Sequence, residues 1–346
     1  MAVREPVPAR AREASATRDT GIDRAKGLLI FLVVFGHLVS STQFARLGEA
    51  FQWYRHINLA IYSFHMPAFF YLSGLISFNS LLRARSTPGR FILKRADRLL
   101  IPFFAMGVVI LLGKTLALGA LGQGALGGHV QNSFAAGLMD LFWTTGKSPS
   151  RAIWYLFCYF GFLCVSLPFV RSRMALNLLL AVSLGLYFVD LPAILYLNKF
   201  GANFWFFLLG LASASHFDFE KRLAPMTLIA LVVGVIGLFA VSQWKEHIQL
   251  SILVCGTLSG PLIINLCRGM DERAFLFLGR NTMPIYLFNT IVIGVVSAVG
   301  LGLLRLAPNV WSLLLLLVAF PCALVAPILV KAIVRRYAPT VAGYMS

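Results

Sequence analysis

The sequence predicts an all-α fold: a polytopic membrane bundle of about ten transmembrane helices with both termini in the cytoplasm. Three observations carry this. Of 346 residues, 59% are hydrophobic and only 12% are charged, and the mean hydropathy is +0.81. An ordinary soluble domain carries about a quarter charged residues. The apolar residues fall in continuous runs of about 17–25, which suits helices and not the period-two alternation of a barrel. Lys and Arg then cluster in alternate connections.

Residues 1–26 are polar, basic and Ala-rich, without a short apolar stretch before a small-residue cleavage site. They are expected to form a disordered cytoplasmic tail ahead of an uncleaved signal anchor. Residues 27–337 are expected to be one membrane domain, and 338–346 a short cytoplasmic tail. The spans are placed at 28–44, 57–78, 99–121, 153–170, 175–189, 202–215, 223–241, 248–266, 282–304 and 310–334. The fifth and sixth are short, as tilted or broken helices are. The longest outer connection, 122–151, holds an apolar stretch at 134–143 that reads as an interfacial or re-entrant helix.

With the N-terminus inside, 22 of the 30 Lys and Arg fall in inner segments. Six precede the first span, six run from Arg83 to Arg98, and Arg171, Arg173, Lys221, Arg222, Arg268, Arg273, Arg280, Lys331, Arg335 and Arg336 complete the set. The positive-inside rule then fixes the orientation. Trp53, Trp143, Trp154, Trp244 and Trp311 lie at outer ends, as an interfacial belt would. The net charge of +17 is accounted for by this bias and by anionic headgroups. No basic-aromatic groove accompanies it, which argues against nucleic-acid binding.

Two histidines stand out, because an ionisable group at membrane depth is costly. His37 lies eleven residues after Lys26 in the first span, and His65 lies in the second. Eleven helical residues rise about 16 Å and return to nearly the same face. A cation at the cytoplasmic mouth, with Asp23 beside it, therefore shares a face with a base near the midplane. His65 falls at a comparable depth, two residues before Pro67. It either orients His37 or acts as a second catalytic group. Lys94, Arg95 and Arg98 share a helix face at i, i+1 and i+4. They offer either an anion site or a topology signal.

Two other patterns carry less. Gly122, Gly124 and Gly127 make a formal GxGxxG, but it follows a membrane helix and no strand precedes it. The five cysteines, at 158, 164, 255, 267 and 322, sit in or beside apolar spans with no metal-ligand spacing, so no metal is expected.

Together these motifs resemble acyltransferase family three, the integral-membrane O-acyltransferases, and most closely its fucose 4-O-acetylase-like branch. The resemblance rests on Asp23, Lys26 and Gly27 with His37; on Phe64, His65, Met66, Pro67, Phe69, Phe70, Ser73 and Gly74; on Lys94, Arg95, Arg98 and Pro102; and on Trp154 with its apolar followers. It implies transfer of an acyl group, usually acetyl, from cytoplasmic acyl-CoA to a hydroxyl of a cell-surface or envelope glycan. It places the chain in a bacterial cytoplasmic membrane, with no permanently bound cofactor. It maps the essential histidine to His37, its basic partner to Lys26, and the third-span basic motif to Arg95 and Arg98. A late stretch from Leu278 often ends in His in the family; here Asn289 stands there as a polar substitute.

His37 is then expected to act as general base on the acceptor hydroxyl or as the carrier of an acyl-histidine intermediate. The alternative classes are a transporter of a polar or lipid-linked sugar, which Asn203, Asn265 and Asn289 would also serve, and a non-catalytic membrane partner. The absence of a visible internal repeat weighs against a transporter built of inverted halves.

Overall fold

The computed structural model describes residues 19–39, 53–84, 86–121, 133–148, 153–226, 248–299 and 315–345. These are all-helical, with no strand among the described residues. The helices are α1 (Thr20–Val39), α2 (Trp53–Ala84), α3 (Pro88–Leu121), α4 (Phe134–Phe142), α5 (Trp154–Ser166), α6 (Arg173–Tyr187), α7 (Leu197–Ala212), α8 (Phe219–Leu223), α9 (Ile248–Gly269), α10 (Arg273–Arg280), α11 (Thr282–Ser297), α12 (Phe320–Tyr337) and α13 (Pro339–Ala342). Four stretches are long and apolar enough to cross a bilayer: Ile57–Ala84, Pro88–Ala117, Gln249–Gly269 and Leu317–Tyr337. Shorter apolar helices run over Trp154–Ser166, Arg173–Tyr187 and Thr282–Ser297. With this composition, the chain is an integral membrane protein.

The seventh expected span, 223–241, lies almost wholly outside the described residues, as do the Gly122–Gly127 pattern and the outer part of the first span. The fourth and fifth spans are helical but shorter than expected, ending at Ser166 and Tyr187. The sixth closes in a π-turn, Ser213–Phe217, before α8. By contrast α2 and α3 have 32 and 34 residues. At 1.5 Å per residue each is about 50 Å long, well beyond a hydrocarbon core of about 30 Å. The basic stretch from Arg90 to Arg98, expected ahead of the third span, is the first part of the same helix α3.

The hub of the bundle is α2, packed on α7, α9, α1 and α5. Small residues let the backbones close, as packing in lipid demands. A β-carbon on Gly74 would strike the Phe207 carbonyl of α7, and one on Gly210 the Tyr71 carbonyl of α2. The second contact of this kind joins α1 to α10, where Gly27 meets the Phe275 carbonyl and Gly279 the Asp23 carbonyl. The expected helix at 134–143 forms as α4, its Ser133 cap accepting from the Ala136 N–H at 3.2 Å. It lies on the C-terminal half of α3, with Leu141 over Gly107 and Gly137 over Leu111.

Candidate active site

The first helix is anchored at its start. Asp19 Oδ1 accepts from the Gly21 N–H at 2.9 Å and the Ile22 N–H at 3.3 Å, satisfying donors that a helix N-terminus leaves open. Its Oδ2 accepts from Arg268 Nη2 at 2.9 Å and Nε at 3.3 Å, joining α1 to the end of α9. Burial alone would raise the Asp19 carboxyl. The Arg268 guanidinium and the two N–H groups outweigh it and hold the group below its usual 3.8. Four residues on, Asp23 is 1% exposed, with Lys26 Nζ 3.4 Å from its Oδ1. Lys26 keeps 24% of its side chain exposed. Arg24, between them, pairs with Asp271 at 3.0 Å.

Further along α1, Gly36 lies against α2: a β-carbon there would be 3.2 Å from Tyr62 and 3.6 Å from Ile61. His37 follows it, partly buried. His65 is 2% exposed, and its Nδ1 sits 2.6 Å from the Ile61 carbonyl oxygen. A carbonyl only accepts, so Nδ1 carries the proton and Nε2 carries the lone pair. The Tyr62 ring stands edge-on to the His65 ring, with centroids 4.8 Å apart. His37 and His65 are electrostatic neighbours. The two residues chosen from sequence, on separate spans, are thus brought together. The α1 geometry keeps Lys26 about 16 Å below them along the helix axis.

Asn289 is completely buried. Its Nδ2 donates to the Ile285 and Tyr286 carbonyls, both at 2.8 Å. Helix α11 packs on α1, carrying Asn289 into the bundle interior. Trp154, at the start of α5, tilts over Phe70 of α2 at 5.7 Å and carries Lys199 Nζ at 5.6 Å from its ring centroid. It supports the wall of the bundle next to the histidine helix.

The basic residues of α3 divide. Arg95 is partly buried, its Nη2 donating to Ser80 Oγ at 3.2 Å and its guanidinium 5.1 Å from the Phe91 centroid. Lys94 and Arg98 are exposed. Ser80 lies fifteen residues after His65, so Arg95 stands about 22 Å toward the far end of α2.

Sequence reasoning missed a hydroxyl ladder leading from this end of α2 into the bundle. Ser77 Oγ meets Tyr159 Oη at 2.8 Å, and Ser73 Oγ meets Tyr155 Oη at 2.5 Å. Ser73 spends its own proton on the Phe69 carbonyl at 2.8 Å, so Tyr155 donates in that pair. The i, i+4 spacing of both the serines and the tyrosines was the available sign. It also missed Glu220, 4% exposed, which accepts from Tyr71 Oη at 2.6 Å and Ser213 Oγ at 3.0 Å. A separate apolar cleft of about 200 Å³ lies among Phe103, Phe104, Leu141, Phe157, Leu195 and Tyr196, away from both histidines.

The site therefore combines two neighbouring histidines on α1 and α2, a cation toward one mouth and a basic end on α3. The family profile described as "Acyltransferase domain", that of acyltransferase family three, matches residues 19–331, a stretch holding every one of these groups. The chain belongs to acyltransferase family three. Two curated relatives align over 85 residues. The nodulation protein NolL of Mesorhizobium japonicum is 40% identical over 25% of this chain and 22% of its own length. The NolL of Sinorhizobium fredii is 39% identical over the same shares. The chain thus spans under a quarter of either relative. No solved structure matches it.

Proposed function

We propose that this family member is an O-acyltransferase that moves an acyl group, acetyl in the first instance, from cytoplasmic acyl-CoA to a hydroxyl of a cell-surface or envelope glycan. The observation that carries the reading is the His37–His65 centre, with the His65 tautomer set by the Ile61 carbonyl. In this account His37 takes the proton of the acceptor hydroxyl as its oxygen attacks the thioester carbonyl. The C–S bond breaks, the acyl group passes to the acceptor oxygen, and the CoA thiolate leaves and collects a proton. An acyl-histidine route would form an N-acyl bond at His37 first and release the thiol before the acceptor attacks. His65 positions His37 or shares the proton.

Lys94, Arg95 and Arg98, with Lys26 nearer the centre, would hold the phosphates of CoA, since guanidinium forks suit phosphate oxygens. The arm of CoA would then enter along the bundle axis. The apolar runs support ten spans, the distribution of Lys and Arg supports both termini in the cytoplasm, and the family resemblance supports a bacterial inner membrane. The donor would then enter from inside, while the acceptor reaches His37 from the outer mouth.

Purified protein in detergent, given acetyl-CoA and a glycan hydroxyl acceptor, is expected to release free CoA thiol in step with acetylated acceptor. Acceptor-dependent thiol release that is absent in wild-type protein would remove the proposal. Cysteines placed singly at Ser133 and Ser86 in a cysteine-free background test the sidedness. An impermeant thiol reagent on intact cells should label the first and not the second, and the reverse pattern would invert the topology.

A further inference from the structure

Two neighbouring polar atoms on α11 are buried without a hydrogen-bond partner among the described residues: the Tyr286 hydroxyl and Asn289 Oδ1. Tyr286 is 7% exposed and Asn289 0%. Buried polar atoms are paired as a rule, so two orphans one helical turn apart call for a ligand. The Asn289 amide is not ambiguous. Its Nδ2 faces two carbonyls, which accept only, so the oxygen is the outward atom. The Tyr286 ring reaches across to α5, where it stands edge-on to Tyr155 at 5.7 Å. Its oxygen lies beside the Tyr155 backbone N–H, and its own proton is left without an acceptor among the described residues.

The chain thus presents one donor and one acceptor, the donor carried out to α5 and the acceptor held on α11. We infer that Tyr286 and Asn289 recognise a secondary amide of the donor's pantetheine arm, Tyr286 donating to its carbonyl and Asn289 accepting from its N–H. This rests on the acyl-CoA reading above. A trans amide points its C=O and N–H to opposite sides, which fits a hydroxyl carried out toward α5 and an amide oxygen held against α11. Order along the axis fits as well. Tyr286 precedes Asn289 by three residues, about 4.5 Å of rise on α11. That helix starts beside α10, which packs at the Asp23 and Gly27 end of α1. Tyr286 therefore lies nearer the Lys26 mouth. In each pantetheine amide the carbonyl also lies nearer the phosphates than the N–H does. The Ser73–Tyr155 pair lies beside Tyr286, and the Ser77–Tyr159 pair follows one turn on toward the Arg95 end of α2.

The test compares two donors, acetyl-CoA and the amide-free thioester S-ethyl thioacetate, in wild type, Tyr286→Phe and Asn289→Leu. Each variant should raise KM for acetyl-CoA about fivefold to tenfold, the loss expected for one buried hydrogen bond, with kcat nearly kept. The kcat/KM for S-ethyl thioacetate should not change. Asn289→Leu removes a buried orphan, so the melting temperature without donor should hold or rise. Equal losses with both donors, no loss with either, or a falling melting temperature would assign these residues a structural role and overturn the inference. Wild-type protein inactive on acetyl-CoA would overturn the acyl-CoA reading with it. Active wild type with unaffected variants would overturn the amide contact alone.

Discussion

Gly36 of α1 faces the Tyr62 ring of α2 so closely that a β-carbon would stand 3.2 Å from it. This contact sets the distance between the helix that carries His37 and the turn that carries His65, whose Nδ1 bonds the Ile61 carbonyl beside Tyr62. Gly36→Ala needs the ring to give by a few tenths of an ångström and should lower activity only modestly. Gly36→Leu must push the helices apart. It should cost more than tenfold in acyl transfer while the protein remains in the membrane, because displacing catalytic groups by about 1 Å costs on the order of a hundredfold. Activity assays on quantified membranes check this, and unimpaired transfer by Gly36→Leu would show that the spacing is not used.

Gly27 and Gly279 meet backbone to backbone, each under a carbonyl of the other helix. Backbone has no rotamer with which to yield, so Gly27→Ala and Gly279→Ala should each destabilise the protein by on the order of 1–3 kcal/mol, the usual cost of overpacking. Thermal unfolding in detergent reads this directly. Gly113→Ala, where a β-carbon meets open space, serves as the control and should leave stability unchanged.

Asp19 makes acid stability partly its own property. Its carboxyl is held below the ordinary 3.8 by Arg268 and two N–H groups, against the upward push of burial. A depressed carboxylate contributes stability that is fully present above the ordinary value and is lost as the pH falls through the folded one. Asp19→Asn should therefore lower the melting temperature at neutral pH. The gap between wild type and variant should narrow as the medium is acidified below 3.8. A constant gap across the acid range would remove Asp19 from the linkage.

Much of this was legible in the sequence, and the reasons are specific. His37 and His65 stood out because an ionisable group in an apolar run has few structural excuses. Spacing from Lys26 gave depth and face because a helix has a fixed rise and turn. The extent of α3 was not legible: the third span was started at Leu99 because charge ends a hydropathy window, although it does not end a helix. The serine–tyrosine pairs and Glu220 were missed for another reason. Their partners lie 82 and 149 residues away, so the i, i+4 spacing within each helix does not say which residues it meets. The two orphans on α11 are visible only once every other polar atom has been accounted for.

Arg95 tests the proposed phosphate end. Replacing Arg95 and Arg98 with Gln should raise KM for acetyl-CoA on the order of tenfold, the weight of a charge-assisted contact, and should leave KM for the acceptor near its wild-type value. Lysine at position 95 should rescue only in part, because a point charge does not replace the planar fork that now reaches Ser80. Steady-state kinetics with each substrate varied in turn measure both. A double variant with unchanged KM values but inverted orientation would make the cluster a topology signal.

The central claim is that His37 performs the transfer. The most direct measurement follows CoA thiol release and acylated acceptor together in wild type, His37→Ala and His37→Gln, at matched protein level and matched melting temperature. General acid–base catalysis contributes on the order of a hundredfold to ten-thousandfold, so both variants should lose at least a hundredfold in both readouts. His37→Ala protein that still acylates its acceptor within a few fold of wild type would contradict the account.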